Sequence, residues 1–544
     1  MSADQGNPVR TRDGQRDLPP GVVDGPGRAR PIAYNIVCSD RGEVRVAAKG
    51  ASGTLTSRTY VNDLAIADAF GDVVPPPCAD LVDVAIAVYV SDRLCRRHPR
   101  TAMRSEPLWQ RYMNVEVSVR EPNRWRQEGL GEALSELLGS LTDDVWAFTF
   151  VPRRAAAVRP SESQRCLFPV PPSSPASAAL FSGGLDSLAG LIARLTRNSE
   201  ETVVLFCGRT NKRIGVPQRM LLEALDREFP QRVRPVAVSF GLNGRQRGAF
   251  DQEETSQRTR GFVFQAFGAV TARMAGLSEL DVYENGVGAI NLPYSDAQLG
   301  SQATRATHPV TMRLMSELLS RVFGTPFSVA LPYAFSTKGE LCNAIRDAGL
   351  GYLAGRSVSC DGYPQRNRFA DQCGVCPSCL LRRQSLHHAG LLADDPSSLY
   401  IHDVYDASAP DAYERRFSLR AMGGQVHHLR RALSSPHPWE ALTVRYPELE
   451  EAADAFAAPG GGVAVREALV ALYRRYCTEW GAFAARSGEP GDRAPDGMLS
   501  SSLEEPAVAP TRLIARSEVP VGSRLKRAMP DLWASVVGGG GHAQ

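Results

Sequence analysis

The sequence predicts an α/β protein built on a doubly wound parallel sheet, and three observations carry that prediction. Between residues 178 and 323, short apolar runs alternate with segments of helical spacing, as strands and crossover helices of a parallel sheet do. The first run, Ala178 to Phe181, leads through a Ser-Gly-Gly turn into a helical segment, so a turn shaped for an anion stands where a strand ends and a helix begins. Cys360, Cys373, Cys376 and Cys379 then close the region at metal-ligand spacing. A length of 544 residues leaves room for about three domains.

Composition narrows the class. Hydrophobic residues at 43% and charged residues at 22% describe an ordinary globular protein. No stretch of 18 or more apolar residues is present, so no membrane partner is expected. The polar start MSADQGNPVRTRDGQRDLPPG lacks an apolar secretory core, and a cytoplasmic location is expected. A net charge of +3 gives no argument for nucleic acid. Eleven cysteines, seven scattered and four grouped, read as buried thiols plus a metal site in a reducing compartment.

Taken in order, residues 1–30 hold almost no large apolar side chain and are expected to form a disordered leader. An accessory α/β domain follows over 31–154. Ile32 to Cys38, Glu43 to Ala48, Thr54 to Tyr60, Tyr112 to Val119 and Val145 to Val151 read as strands, and Gly129 to Leu141 as an amphipathic helix. Val82 to Tyr89, inside VDVAIAVYV, reads as a continuous buried strand. Residues 155–177, with Pro169, Pro171, Pro172 and Pro175, form a linker. In the core, 178–390, strands are expected at Thr202 to Cys207, Arg234 to Phe240 and Glu279 to Glu284. Helices are expected at Pro217 to Phe229, Thr259 to Ala275 and Pro309 to Phe323. Residues 391–485 read as helical, and 486–544 as a flexible tail. His427, His428 and Trp439 read as packing or surface, because adjacent residues on a helix face different ways.

The candidate site is assembled from several segments. In FSGGLDS, backbone N–H groups of Gly183, Gly184 and Leu185 can converge on an anion, Ser182 and Ser187 can add hydroxyls, and Asp186 can orient magnesium or an amide. No Gly-Lys-Ser/Thr follows, so this is not a Walker A loop. Arg258 and Arg260 open a helix and suit oxyanions. Glu284, Asn285 and Gly286 end a strand and could hold a base edge or make the turn. Arg305 and His308 come from a polar loop, and Thr337 precedes Lys338, which could neutralise a triphosphate. The four thiols read as a closed structural zinc shell that leaves no position for substrate, with an iron–sulfur cluster or a redox pair as alternatives. The basic run from Leu381 to Arg383 reads as solvated surface or a nucleotide contact. Cys207 is the only candidate for a thiol facing the loop.

FSGGLDS looks like the pyrophosphate loop of the PP-loop ATP pyrophosphatases, a HUP-like fold. Together with Thr337-Lys338, Cys360 and CGVCPSC, the core resembles the 7-cyano-7-deazaguanine synthase (QueC) family over roughly 176–390. The resemblance implies ATP and magnesium as cofactors, structural zinc on the four thiols, and adenylation of the carboxylate of 7-carboxy-7-deazaguanine before attack by ammonia. It implies pyrophosphate binding by Ser182, Gly183, Gly184, Asp186 and Ser187. FCGRTNKR stands where family members carry a Tyr-Gly-Gln-like segment, ENGVGAINLPYSDAQLG departs from their deazapurine-contacting segment, and large flanking regions are added. The long form looks like the QueC-like proteins of bacterial antiviral systems (Qat and type IV CBASS). That likeness implies a protein amine as acceptor, with the helical appendage recognising that partner or forming a homodimer. A tRNA thiolase and a degenerate nucleotide-binding scaffold are the other readings.

Overall fold

The computed structural model describes residues 32–49, 53–97, 110–127, 129–154, 159–163, 177–247, 254, 256–294, 304–363, 372–403, 416–457 and 461–486. The expected leader, most of the linker and the tail beyond 486 lie outside the described residues.

Among the described residues ten strands form one sheet: β1 Ile32–Cys38, β2 Glu43–Ala48, β3 Leu55–Asn62, β4 Arg111–Val119, β5 Val145–Pro152, β6 Ser177–Leu180, β7 Val203–Arg209, β8 Val233–Arg247, β9 Glu279–Asp281 and β10 Ser328–Ala330. Their order across the sheet is β10-β9-β6-β7-β8-β3-β2-β1-β4-β5. Strands β6 to β10 are mutually parallel, and the order reverses between β6 and β9. At such a reversal the two following connections leave on opposite faces and open a crevice beyond the strand ends, where ligands of doubly wound sheets bind. β3 joins β8 antiparallel, β2 joins β3 and β1 the same way, and β1, β4 and β5 run parallel to one another. The starts of β4 and β5 therefore lie on the same sheet edge as the ends of β6 to β10.

The principal helices are α1 Pro76–Leu94, α2 Leu130–Thr142, α3 Leu185–Arg197, α4 Gly215–Glu228, α5 Arg260–Met274, α6 Gly286–Ile290, α7 Pro309–Phe323, α8 Lys338–Asp347, α9 Pro377–His388, α10 Phe417–Leu433, α11 Pro438–Arg445, α12 Glu448–Phe456 and α13 Gly462–Arg486. One core packs α1, α2, α5 and α7 against the sheet and runs unbroken from Ile36, Val46 and Val115 to Phe240, Phe267 and Val329. Phe240 and Phe267 stack at 5.0 Å and Phe206 joins at 5.8 Å, and burying each ring contributes about 1.5–3 kcal/mol. A second core lies under α3, α4 and α8 on the other face of β6 and β7. Helices α10 to α13 make a third, which includes Val287, Ile290 and Leu292 of the core region.

One expectation is overturned. VDVAIAVYV is not a strand but the middle of α1, buried from Cys78 to Val82 and again from Val84 to Asp92. Pro76 and Pro77 start the helix, where their missing N–H groups cost nothing. A helix enclosed on all sides, between the sheet and α5, loses its amphipathic period and reads like a buried strand. In the C-terminal region expected to be helical, α10 runs continuously through Gly423-Gly424.

The two halves of the sheet are also locked by charge. Arg111, buried at the start of β4, pairs with Asp92 and Asp144, each at 2.6 Å, and Asp92 accepts from the backbone and hydroxyl of Thr259, each at 3.1 Å. Burial works against the guanidinium charge, but Asp144 and Asp92 outweigh it and hold its pKa above the usual arginine value. Removing one partner of such a buried pair costs roughly 3–5 kcal/mol.

Candidate active site and metal centre

The turn after β6 is held from three sides. Gly183 has φ +82°, a left-handed conformation that favours glycine, and a Cβ there would press on Gln218 Cγ at 3.2 Å. Gln218 donates to the carbonyls of Phe181 and Ser182 at 3.2 and 3.4 Å. Val358 donates to the Gly183 carbonyl at 3.1 Å. The Gly184 N–H bonds the Ser182 hydroxyl at 3.1 Å, and that hydroxyl lies 3.1 Å from Ser187 Oγ. Helix α3 starts at Leu185 with Gly184 as its N-cap, so the first-turn N–H groups face outward from the crevice end of β6.

Three strand ends converge on Asp186. Lys338, at the head of α8 after β10, places Nζ 2.6 Å from Asp186 Oδ2. Asn285, after β9, donates through Nδ2 to Asp186 Oδ1 at 3.0 Å and to Glu284 Oε1 at 2.8 Å, while its own Oδ1 caps α6 by accepting from Gly288 at 2.9 Å. Two carboxylates, one amide and one ammonium are thus collected at the strand-order reversal. Burial and the Asp186 charge push the Glu284 carboxyl up to about 8, against the pull of Lys338. For Lys338 burial opposes the charge, yet Asp186 and Glu284 overrule it and raise the ammonium above its ordinary value. Perturbed carboxyl and ammonium groups in one cleft make this group the candidate site.

The Glu284 shift has a testable sign. A carboxyl whose folded pKa lies above its unfolded value favours the native state when protonated, so its contribution falls as pH rises from about 4.5 to 8. Glu284→Gln is expected to flatten this part of the stability–pH curve, measured by urea unfolding between pH 5 and 8. An unchanged slope would show that the carboxyl is ionised throughout.

Other residues expected in the site are placed elsewhere or given other work. Arg258 lies beside Arg97 and Asp143, where burial and the Arg97 charge push it down to about 10. Arg305 acts on Asp143 and His308. Both therefore belong to the charged group at the starts of β4 and β5, because β3 carries that half of the sheet round to the same edge. Arg260 is exposed at the head of α5, but desolvation by the surrounding protein pushes its guanidinium below the usual arginine value, against the pull of Tyr89 and Asp361. Gly286 is a packing glycine whose Cβ would overlap the Ala334 carbonyl. Thr337 is the N-cap of α8: its Oγ1 accepts from Glu340 N at 3.0 Å and donates to Glu479 Oε1, so its hydroxyl is fully used. Cys207 is buried inside β7, and burial pushes its thiol up to about 12, which suits packing rather than nucleophilic work. Gln218 and Glu479 carry no sequence signal, since nothing local marks them.

The thiols of Cys360, Cys373, Cys376 and Cys379 lie within 4.8 Å of one another. Cys373 and Cys379 are 3.9 Å apart and Cys376 and Cys360 4.0 Å, close to the roughly 3.8 Å edge of a tetrahedron with zinc–sulfur bonds of about 2.3 Å. Backbone N–H groups of Gly362 and Cys373 point at Cys360 Sγ, and those of Val375 and Cys376 at Cys373 Sγ, at 3.3–3.5 Å. Gly374 (φ +84°) lets the turn pass the His402 carbonyl. The group could hold a metal ion, and all-thiolate chemistry fits zinc. Arg382 is neither solvated nor turned to a ligand: fully buried, it pairs with Asp395 at 2.9 Å and donates to the Ser357 carbonyl at 3.2 Å. The thiol centre and Arg382 thereby fix the 354–360 segment that bonds Gly183.

No family model matches the chain. Among curated proteins, it is similar to the 7-cyano-7-deazaguanine synthase of Novosphingobium aromaticivorans, 29% identical over 235 residues that make up 40% of this chain and 93% of that one. The FSGGLDS loop, Thr337-Lys338 and the four-thiol centre accompany the similarity, and over this part of its length the chain resembles that synthase.

Proposed function

We propose that the protein is an ATP-dependent, AMP-forming ligase acting on a deazaguanine acid. The observation that carries this is the Asp186–Lys338–Glu284–Asn285 group beyond the FSGGLDS loop, and the similarity to a 7-cyano-7-deazaguanine synthase supports the substrate class. Loop N–H groups with Ser182 and Ser187 bind the β- and γ-phosphates, and Lys338 neutralises charge that develops as pyrophosphate leaves. Asp186 would hold magnesium, which supplies further charge neutralisation. Arg260, exposed beside the crevice, meets the substrate carboxylate. A carboxylate oxygen of 7-carboxy-7-deazaguanine attacks the α-phosphorus, the bond to the β-phosphate breaks, and pyrophosphate departs. An amine then attacks the acyl carbon, AMP leaves with the bonding electrons, and the amine proton passes to solvent.

The acceptor we favour is an amine of a partner protein, in cytoplasmic antiviral defence. The strands β1 to β5 and helices α10 to α13, beyond a compact synthase core, support it as surfaces for a macromolecule. The name of the curated relative favours a second reading, in which ammonia is the acceptor and the amide it forms is dehydrated with a second ATP to the nitrile. Incubation with ATP, magnesium and 7-carboxy-7-deazaguanine is expected to release pyrophosphate. Adding ammonia or a partner protein then separates the readings by mass spectrometry: a partner gaining the deazaguanine acyl mass supports ligation, and free nitrile supports synthesis. Absence of pyrophosphate and AMP with both acceptors would overturn both.

A further inference from the structure

We infer that the C-terminal helical unit is a working part of the ATP site: Glu479 and Arg475 of α13 are positioning residues that keep Lys338 in register with Asp186. The inference rests on the reading above that Lys338 serves ATP.

Glu479 is a carboxylate only 4% exposed. It accepts from the Thr337 hydroxyl and from Gln384 Nε2 at 3.0 Å, with His388 Nε2 at 3.8 Å. Thr337 is the cap of α8 and Lys338 its first residue. One turn earlier on α13, Arg475 pairs with Glu340 at 2.7 Å and donates to the Phe335 carbonyl at 2.6 Å. Glu340 is the other half of the same capping box, bonding Thr337 N at 2.8 Å. Both members of the box that shapes the start of α8 are therefore gripped from α13. Gly339 permits the approach, since a Cβ there would meet Glu479 Oε2 at 2.7 Å and His388 Cδ2 at 2.8 Å.

A buried carboxylate is costly unless its oxygens are bonded, so an apolar residue would serve better if α13 only packed here. Instead the Glu479 bonds run to the helix start that carries Lys338 and to α9, the helix containing Cys379. This one side chain joins the appendage, the thiol centre and the lysine that sits 2.6 Å from Asp186. A shift of about 1 Å in such a group costs up to about a hundredfold in rate. Whatever docks on α10 to α13 is thereby coupled to the phosphate loop.

The test uses full-length protein with Glu479→Ala, Glu479→Gln and Arg475→Gln, alone and with Lys338→Ala. Glu479→Ala is expected to lower kcat for pyrophosphate release about tenfold or more, with KM for ATP changed less than about twofold. Glu479→Gln recovers most of the loss, because an amide can still bond Thr337. In the Lys338→Ala background Glu479→Ala has no further effect. Amide hydrogens of residues 338–341 exchange faster in Glu479→Ala and Arg475→Gln than in the wild type. Unchanged exchange in that turn, or a full additional loss of rate without Lys338, would overturn the inference. Should Glu479→Ala fail to give a cooperative melt, Arg475→Gln carries the test, since that side chain is 40% exposed. A wild-type protein that turns over no ATP would sink the ligase reading, and the exchange measurement would still decide the positioning.

Discussion

Asp186→Ala is expected to release pyrophosphate at least about 10³-fold more slowly than the wild type, while keeping its fold and its thiol centre. Asp186 takes both the Lys338 ammonium and the Asn285 amide, so its loss disorders the lysine and removes the carboxylate assigned to magnesium. Ordinarily, stripping one partner from a buried ion pair costs roughly 3–5 kcal/mol. Here Glu284 moderates the cost. The Asp186 charge is one of the two causes that hold Glu284 protonated. Without it the Glu284 carboxyl ionises more readily and becomes the counter-ion of Lys338. The melting temperature should then fall only modestly, whereas Asp186→Ala combined with Glu284→Gln should lose both activity and cooperative unfolding. Pyrophosphate release, metal content and calorimetry on the two variants check the argument. A fully active Asp186→Ala would remove the loop from the chemistry.

Cys376→Ser is expected to lose its zinc and most of its soluble yield. A structural zinc contributes on the order of 10 kcal/mol to local folding, and a serine hydroxyl is a poor replacement for a thiolate. The loss should spread to the phosphate loop along a defined path. The thiol centre anchors 354–360 together with Arg382, and Val358 bonds the Gly183 carbonyl. Soluble Cys376→Ser is therefore expected to show faster hydrogen exchange in residues 182–187 as well as in the cysteine segment. Metal analysis of the purified variant beside the wild type, where one zinc per chain is expected, is the direct measurement. Zinc retained at full stoichiometry would show that three thiols suffice.

The loop and the thiol centre were legible because their chemistry is local. A strand, two glycines and a helix start are contiguous, and three of the four cysteines fall within seven residues. Glu284 and Asn285 could be named only as a strand end. The pairing of Asn285 with Asp186 spans 99 positions and depends on β9 lying beside β6. Arg258 and Arg305 show the converse: an arginine at a helix start or in a polar loop suits an anion, but here both lie close enough to Asp143 to act on its carboxyl. Arg382 likewise reads as surface charge, yet Asp395 and the 354–357 carbonyls close around it. VDVAIAVYV reads as a strand because enclosure erases the helical period.

By itself the sequence determined the parallel α/β core, the Ser-Gly-Gly turn between strand and helix, and a group of thiols that could hold a metal ion, since each depends on residue types at short, fixed spacings. Tertiary structure alone decided that β8 joins β3 and extends the core sheet to ten strands, and that α13 reaches the start of α8 through Glu479. Those are pairings between distant segments, selected by which surfaces bury together, and no local pattern of residues encodes them.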